Sequence, residues 1–326
     1  MTTPTTRRAV LGAGLGLIAL PALHAQTAAD FPNRPMRLIV PFPPGGSTDT
    51  IARLVAQKLS EQLGQPVVLD NKPGAGGNIG MDAGAKATPD GYTLHFCTIS
   101  DSVAPALYTT LPYDFAKEIL PIAHVGSTPN IFVVPPASQA KTLKDFIAMA
   151  KAKPGQIRYA SSGKGTPSQL TVELFKSMSG VNIEEIPYKS SAQALTDALT
   201  GEVAMNAPGL AHGLPFIKSG RAIALAVTGG KRSPAAPDIP SIAETVPGYS
   251  AYGWHGVFVP SKTPQEIKTF ITNEIREVLK EPEMRERYAV AGAEVVGSTP
   301  QEFTAFLKSE AAKWGKLMKQ LGIKPD

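Results

Sequence analysis

The sequence predicts an α/β protein of two lobes with a ligand cleft between them, and three observations carry that reading. Strand-like and helix-like stretches alternate through most of the chain, and the alternation restarts after Asn130. At 326 residues the chain is long enough for two domains of ordinary size. Two glycine-rich turns, Pro41–Asp49 and Ser161–Thr166, lie in different halves, and each follows a β-like run and opens a helix-like run. A helix start presents unpaired N–H groups and the positive end of a dipole, so a pair of them across a cleft suits a small carboxylate or phosphate.

Taken in order, Arg37–Phe42 is apolar and β-rich, and the apolar residues Ile51, Leu54, Val55, Leu59 and Leu63 then recur at helical spacing up to a stop at Gly64. Val67–Asn71 completes a βαβ unit, which implies a parallel sheet covered by helices, and Tyr92–Thr98 adds a strand. After Asn130, Ile131–Val134 reads as a strand, Leu143–Ala152 as a helix and Ile157–Ala160 as a strand entering the second glycine turn. Thr166 then caps a helix with Pro167 at its first position and Gly180 past its end. Ile183–Pro187, Val203–Asn206 and Ala222–Thr228 continue the strands, and a proline-rich passage from Ser233 to Pro247 leaves this lobe. Trp254–Val259 gives another strand, followed by helices over Pro264–Lys280 and Pro300–Leu321. In the latter, Phe303, Phe306, Leu307, Trp314, Leu317, Met318 and Leu321 form an apolar stripe.

Ahead of these elements, Arg7-Arg8 precedes an apolar run from Ala9 to Ala22 and the small residue Ala25, the pattern of a secretory signal over residues 1–25. Thr6-Arg7-Arg8 is compatible with twin-arginine export as well as with the general route. Without that segment, 30 basic residues face 27 acidic ones, so the net charge falls from +5 to +3. The excess is scattered, with no basic run that would point to nucleic acid. Cys97 is the sole cysteine and sits in an apolar run, so it reads as a core residue with no disulfide. The five histidines show no metal-ligand spacing, so neither a metal nor a cofactor is expected.

In the first glycine turn, Pro44, Gly45 and Gly46 let a ligand approach the main chain, Ser47 or Thr48 offers a hydroxyl, and Asp49 either stabilises the dipole or orders the loop amides. The glycines of Lys72–Gly80 do not follow the dinucleotide spacing and read instead as a loop shaping a cleft wall. In the second turn, Arg158 stands where a Walker loop needs glycine. Ser161 and Lys164 fit Ser-x-x-Lys, the nucleophile pattern of penicillin-binding enzymes, without its companion signatures. Anion capture by the amides of Gly163–Thr166 and the Thr166 hydroxyl is the preferred reading, and an acyl hydrolase using Ser161 is the alternative. Lys189, after a strand, could reach an anion, and His255 could face a ligand or pack within its strand. His212 reads as a surface residue.

Ordered matches along the chain resemble the substrate-binding proteins of tripartite tricarboxylate transporters, the Bug family. They are Pro41–Asp49 with Ala52-Arg53, Leu63–Val68, Asn71–Gly80, Pro89–Leu94, Leu107-Tyr108, Leu111–Asp114, Lys153–Gly155, Val227-Thr228, Pro237–Pro240 and Pro247–Tyr249. The resemblance implies a periplasmic-binding-protein fold of the class with two crossovers between lobes. It places 26–129 and 251–326 in one lobe and 130–250 in the other. It implies a monomeric, non-enzymatic receptor that closes over an organic carboxylate and delivers it to membrane subunits of the transporter, with a sensor kinase as another output. Carried over by position, the ligand residues are Pro44, Gly45, Gly46, Ser47 and Asp49 on one lobe, and Ser161, Gly163, Gly165, Thr166 and Gln169 on the other. Departures from the family pattern bring in Ser100 beside the acid Asp101, in the stretch Thr98–Ser102 read as a cleft loop, Tyr188 with Ser190, and Asn206; His255 beside Trp254 is a further candidate. An aromatic acid stacked on Trp254 or paired with His255 and an aliphatic dicarboxylate are both admissible.

Overall fold

The computed structural model describes Met1 and residues 30–320; the rest of the expected export signal and Leu321 of the last apolar stripe lie outside the described residues. The first part of the chain runs β1 (Met36–Val40), α1 (Ser47–Leu63), β2 (Val67–Asn71), α2 (Asn78–Ala85), β3 (Thr93–Thr98), α3 (Ile99–Leu107) and β4 (Ile119–Pro129). The middle runs β5 (Ile131–Val134), α4 (Leu143–Ala152), β6 (Arg158–Ser161), α5 (Pro167–Ser179), β7 (Glu184–Pro187), α6 (Ser191–Thr200), β8 (Met205–Asn206), α7 (Leu210–Lys218) and β9 (Ile223–Val227). The last part is β10 (Tyr252–Pro260), α8 (Gln265–Lys280), α9 (Pro282–Val290), β11 (Glu294–Val295) and α10 (Pro300–Gln320).

Among the described residues these strands form two sheets, one of six strands in the order β11-β4-β10-β3-β1-β2 and one of five in the order β7-β6-β8-β5-β9. In the first, β1 lies parallel between β2 and β3, while β10 runs antiparallel to β3 and β4. In the second, β6 is parallel to β7 and β8, and β5 is antiparallel to β8 and β9. The chain therefore crosses between sheets twice, after β4 and before β10. The two crossings are tied to each other at Asn130 and Thr228: the Asn130 N–H donates to Thr228 Oγ1 at 2.8 Å, and the Thr228 N–H donates to Asn130 O at 2.9 Å. This reciprocal pair, one bond to a hydroxyl and one to a carbonyl, fastens the two crossings to each other at the boundary between the sheets.

Five helices, α1, α4, α5, α8 and α10, form where the sequence pattern predicts. Ile51, Val55 and Leu59 of α1 bury one face, and Gly64 at φ 63° ends the helix in the left-handed conformation. Burying each such side chain stabilises the fold by about 1.5–3 kcal/mol. Phe303, Leu307, Trp314, Leu317 and Met318 of α10 are buried, and the helix packs on α3 and β4, which returns the end of the chain to the first sheet. Cys97 is fully buried, as expected.

Several elements carry weak sequence signals. Thr98–Ser102, read as a cleft loop, is the start of α3, where Thr98 and Asp101 form a reciprocal capping box. Asp101 is 1% exposed and lines no cleft. The glycines of Lys72–Gly80 lead into α2 and also lie off the cleft. α6 buries only Ala194, Leu195 and Ala198, and α7 contains Gly213 and Pro215, so neither shows a strong apolar period. β4 runs unbroken through Pro121 and Gly126, with two register shifts against β10.

Candidate ligand-binding site

A cleft of about 240 Å³ lies between the two sheets, lined by residues of both. That is below the about 300–1,000 Å³ of sites for drug-sized ligands and suits a small metabolite. The wall from the first sheet is the turn after β1. The prolines at 41, 43 and 44 end the ladder, Gly45 turns at φ 87°, and Gly46 is the extended N-cap of α1 with no side-chain cap. Ser47 and Thr48 open the helix at the cleft, so its first-turn N–H groups are left for a ligand. Asp49 is buried behind them. Its Oδ2 accepts from the Gly45 N–H at 3.0 Å and Arg53 Nε at 2.8 Å, and its Oδ1 accepts from Asn71 Nδ2 at 2.9 Å. Burial pushes its pKa up, but the bonds from Arg53, the Gly45 amide and Asn71 outweigh this and hold it below the ordinary value. Asp49 thus stays ionised and shapes the loop from beneath, outside the lining.

The floor is built by β10 and β4, where Gly253 pairs with Thr128. Side chains alternate along a strand, so Gly253 and His255 line the cleft while Trp254 points the other way. Trp254 is buried with its ring 5.7 Å from both Phe303 and Phe306, which removes it as a stacking platform for an aromatic acid. His255 stacks on Phe96 at 5.5 Å, and its Nε2 lies 3.4 Å from Thr48 Oγ1. Burial, with the nearby His124 ring, drives its pKa down to about 3, so the cleft imidazole is neutral.

The wall from the second sheet brings in the starts of α5, α6 and α7. Thr166 and Gly209, at the N-caps of α5 and α7, make no side-chain cap bond, and Ser190, at the N-cap of α6, accepts from the Gln193 N–H at 3.3 Å. With α1, four helix N-termini converge on one cleft among the described residues, each carrying about half a positive charge. Lys189 adds a full charge, and no Asp or Glu appears among the described lining residues. The lobes meet around this space: a Cβ on Gly209 would stand 2.9 Å from Ser47 Oγ.

The second glycine turn behaves differently from its sequence reading. The Ser162 N–H donates to Ser168 Oγ at 2.9 Å, Gly163 N–H to Ser161 Oγ at 2.9 Å, Gly165 N–H to Gln169 Oε1 at 2.6 Å, and Thr166 N–H to Gly163 O at 3.3 Å. These amides are satisfied by the loop and the first turn of α5. Ser161 is fully buried and donates to Glu185, while Gln169 Nε2 donates to the same carboxylate at 2.7 Å. The Lys164 ammonium lies 5.6 Å from the Tyr108 ring centre. A fully buried serine cannot reach a substrate carbonyl, which removes the geometric basis of the hydrolase alternative.

Of the sequence-derived residues, the cleft lining includes Pro44, Gly45, Gly46, Ser47, Thr166 and His255. Asp49, Ser161, Gly163, Gly165 and Gln169 lie behind it, holding the loops. Ser100 donates to Gly165 O at 3.0 Å and bridges the lobes outside the cleft. Tyr188 packs beside the Ala160, Ala194, Ala198 and Val203 cluster, and Asn206 is buried with Nδ2 on Ala160 O. His212, read as a surface residue, is half-buried in the cleft wall, and burial lowers its pKa. Sequence reasoning missed Thr128, Ser168, Ser191 and Ala192. Ser190-Ser191 after a strand was a readable helix-start signal, and strand alternation separates His255 from Trp254.

Residues 51–323 match the model of the tripartite tricarboxylate transporter family receptor. The protein BugT of Bordetella pertussis is 38% identical over 314 residues, spanning 94% of this chain and 95% of that protein. The solved structure of R. palustris Rpa4515 with adipate is 36% identical, with a TM-score of 0.87 over 91% of this chain and 100% of the other. MatC from Rhodopseudomonas palustris with bound malate is 27% identical, with a TM-score of 0.81 over 88% of this chain and 99% of the other.

Proposed function

The chain belongs to the tripartite tricarboxylate transporter receptor family, and on that premise we propose that its cleft captures an organic carboxylate by closure of the two lobes. Members of this family are periplasmic solute receptors with no catalytic step, and they serve a transporter in the membrane. The observation that carries the ligand class is the uncapped start of α1 in a cleft lined by other helix starts and by no described carboxylate. Donors preorganised in a partly dry space make charge-assisted bonds to a carboxylate that water would otherwise weaken. Rpa4515 holds adipate and MatC holds malate, which favours an aliphatic acid here, as does the turning of Trp254 away from the cleft.

Ser47, Thr48, Thr166, Lys189 and His255 are the residues we assign to ligand contact, with Asp49, Ser161, Gly163, Gly165 and Gln169 as supports. The partition of strands between the sheets supports lobes over 26–129 with 251–326 and over 130–250. Residues 1–25 act as an export signal in this reading, and the mature receptor works as a monomer without nucleic acid. Contacts to both lobes exist together only in the closed state, so the ligand favours closure by population shift.

Thermal unfolding of the mature protein against aliphatic dicarboxylates, tricarboxylates, aromatic acids and nicotinate tests the proposal. A ligand at a hundredfold excess over its Kd should stabilise the fold by about 2.7 kcal/mol. A response confined to aliphatic acids supports the reading, and a flat response to every carboxylate sinks it.

A further inference from the structure

A second recess, of about 360 Å³, lies apart from the cleft and shares no lining residue with it. Arg276, Lys280 and Arg285 line it from α8 and α9, Glu294 to Gly297 from β11 and the turn after it, and Ser233, Pro234 and Ala235 from the chain that follows β9 of the second sheet. We infer that this recess is a second anion site, which takes a phosphate-type oxyanion between Arg276 and Arg285.

The state of the two arginines carries the inference. Arg276 is half-buried, its Nε is buried with no hydrogen-bond partner, and its side chain makes no ion pair among the described residues. No acid stands three or four residues away on α8, where the neighbours are Thr272, Asn273, Leu279 and Lys280. Glu302, near the adjoining recess that Arg276 also borders, accepts instead from the Thr299 N–H at 2.8 Å and the Thr299 hydroxyl at 2.9 Å. Arg285 ends the first turn of α9, where the helix dipole disfavours a cation, and the acid four residues before it, Glu281, lies 3.3 Å from the Lys58 ammonium. By contrast, Arg287 on the same helix holds Glu283 at 2.9 Å and Gln57 at 3.0 Å. Lys280 is engaged by Glu277 at the exposed end of α8.

Glu294 is the one carboxylate among the described lining residues, and it lies beyond salt-bridge distance of all three cations. Three cations against one carboxylate leave an excess of two positive charges in the recess. These cations repel one another, and the buried Nε of Arg276 has given up water without gaining a bond. An oxyanion offsets both costs. A tetrahedral phosphate presents oxygens in several directions and accepts from guanidiniums on two helices at once, whereas a carboxylate presents one planar edge that a single arginine fork fills. Ser233, buried on the opposite wall with its Oγ accepting from the Ala235 N–H at 3.3 Å, offers a hydroxyl donor from the second sheet's side.

Isothermal titration with inorganic phosphate and with pyrophosphate tests this, at an ionic strength held constant with chloride. The wild type is compared with Arg276→Gln, Arg285→Gln and Glu294→Gln, and with Lys189→Met, which removes the charge of the carboxylate cleft. Arg285 is exposed and Arg276 half-buried, and melting curves without phosphate check that each variant folds. The expected result is saturable binding of one anion per chain, weakened at least about tenfold by Arg276→Gln and by Arg285→Gln. Glu294→Gln should tighten it, and Lys189→Met should leave it unchanged. Absence of saturable binding for both anions overturns the inference. So does binding that survives in both arginine variants, or binding that Lys189→Met abolishes, since the anion would then lie in the cleft. Each outcome leaves the carboxylate reading standing.

Discussion

The two glycine-rich turns share one sequence grammar, yet the fold uses them in opposite ways. After β1, a buried Asp49 takes a single loop amide, and the first turn of α1 is left uncapped at the cleft. After β6, side chains and carbonyls of the loop and of the first turn of α5 satisfy the amides, and the carbonyl of Gly165 accepts from Ser100 of the other lobe. The first turn therefore offers donors to a ligand, whereas the second mainly fastens the lobes and contributes Ser162, Thr166 and Ser168 to the wall. Glycine content reports only that the main chain can bend. Whether a turn binds depends on where its N–H groups find acceptors.

The largest effect that separates the turns is a pH effect. The first leans on a neutral imidazole, through Thr48 and His255, and the second leans on the carboxylate of Glu185. Burial lowers His255 to about 3 and His124 to about 4. The unfolded chain protonates these rings near the ordinary value of about 6.5, so below that pH it binds more protons than the folded chain. Their contribution to stability is therefore complete above about pH 6.5 and declines as the medium is acidified toward the folded values, by up to about 1.4 kcal/mol per pH unit for each ring. Melting curves between pH 7.5 and 4.5 should show this decline, and His255→Gln should flatten it by about half. A slope untouched by His255→Gln would mean that the ring is not held neutral by the floor.

The next largest is a contrast of two glycines, Gly45 at φ 87° and Gly165 at φ 75°. Alanine in either left-handed position costs about 1–2 kcal/mol. At Gly45 nothing lies within 4 Å of the new Cβ, whereas at Gly165 the Cβ would be 2.6 Å from Leu107 Cδ1 of the other lobe. Overpacking there adds about 1–3 kcal/mol, and only when the lobes are together. Gly165→Ala should therefore weaken ligand binding beyond what its effect on the melting temperature accounts for, although Gly165 lies outside the cleft lining. If titration gives Gly165→Ala the affinity of the wild type, the second turn is not a fastening.

Much of the architecture was legible because its helices and strands bury regular faces: Ile51, Val55 and Leu59 mark α1, and Ile131–Val134 marks β5. The elements that escaped, α6 and α7 among them, have short or glycine- and proline-interrupted apolar patterns, and packing against the second sheet determines them more than propensity does. The site was half legible. A hydroxyl or amide in a turn is visible in sequence, but its partner is set by chain segments far away, as Glu185 is for Ser161 and Gly165 is for Ser100. For β10, the strand alternation of Trp254 and His255 is enough to tell wall from core.

The smallest effect concerns Ser100, whose Oγ donates to Gly165 O at 3.0 Å across the lobes. Ser100→Ala removes one neutral hydrogen bond and leaves a carbonyl that water can reach once the lobes part, so the closed state should lose about 0.5–1.5 kcal/mol. Because that bond forms only on closure, the loss belongs to binding: the dissociation constant should rise about two- to tenfold while the melting temperature of the unliganded protein stays put. The same substitution would leave affinity alone if Ser100 were only a helix residue of α3. A fall in the unliganded melting temperature equal to the loss in affinity would mean that the lobes are already fastened without ligand, and closure would then be the resting state of the receptor.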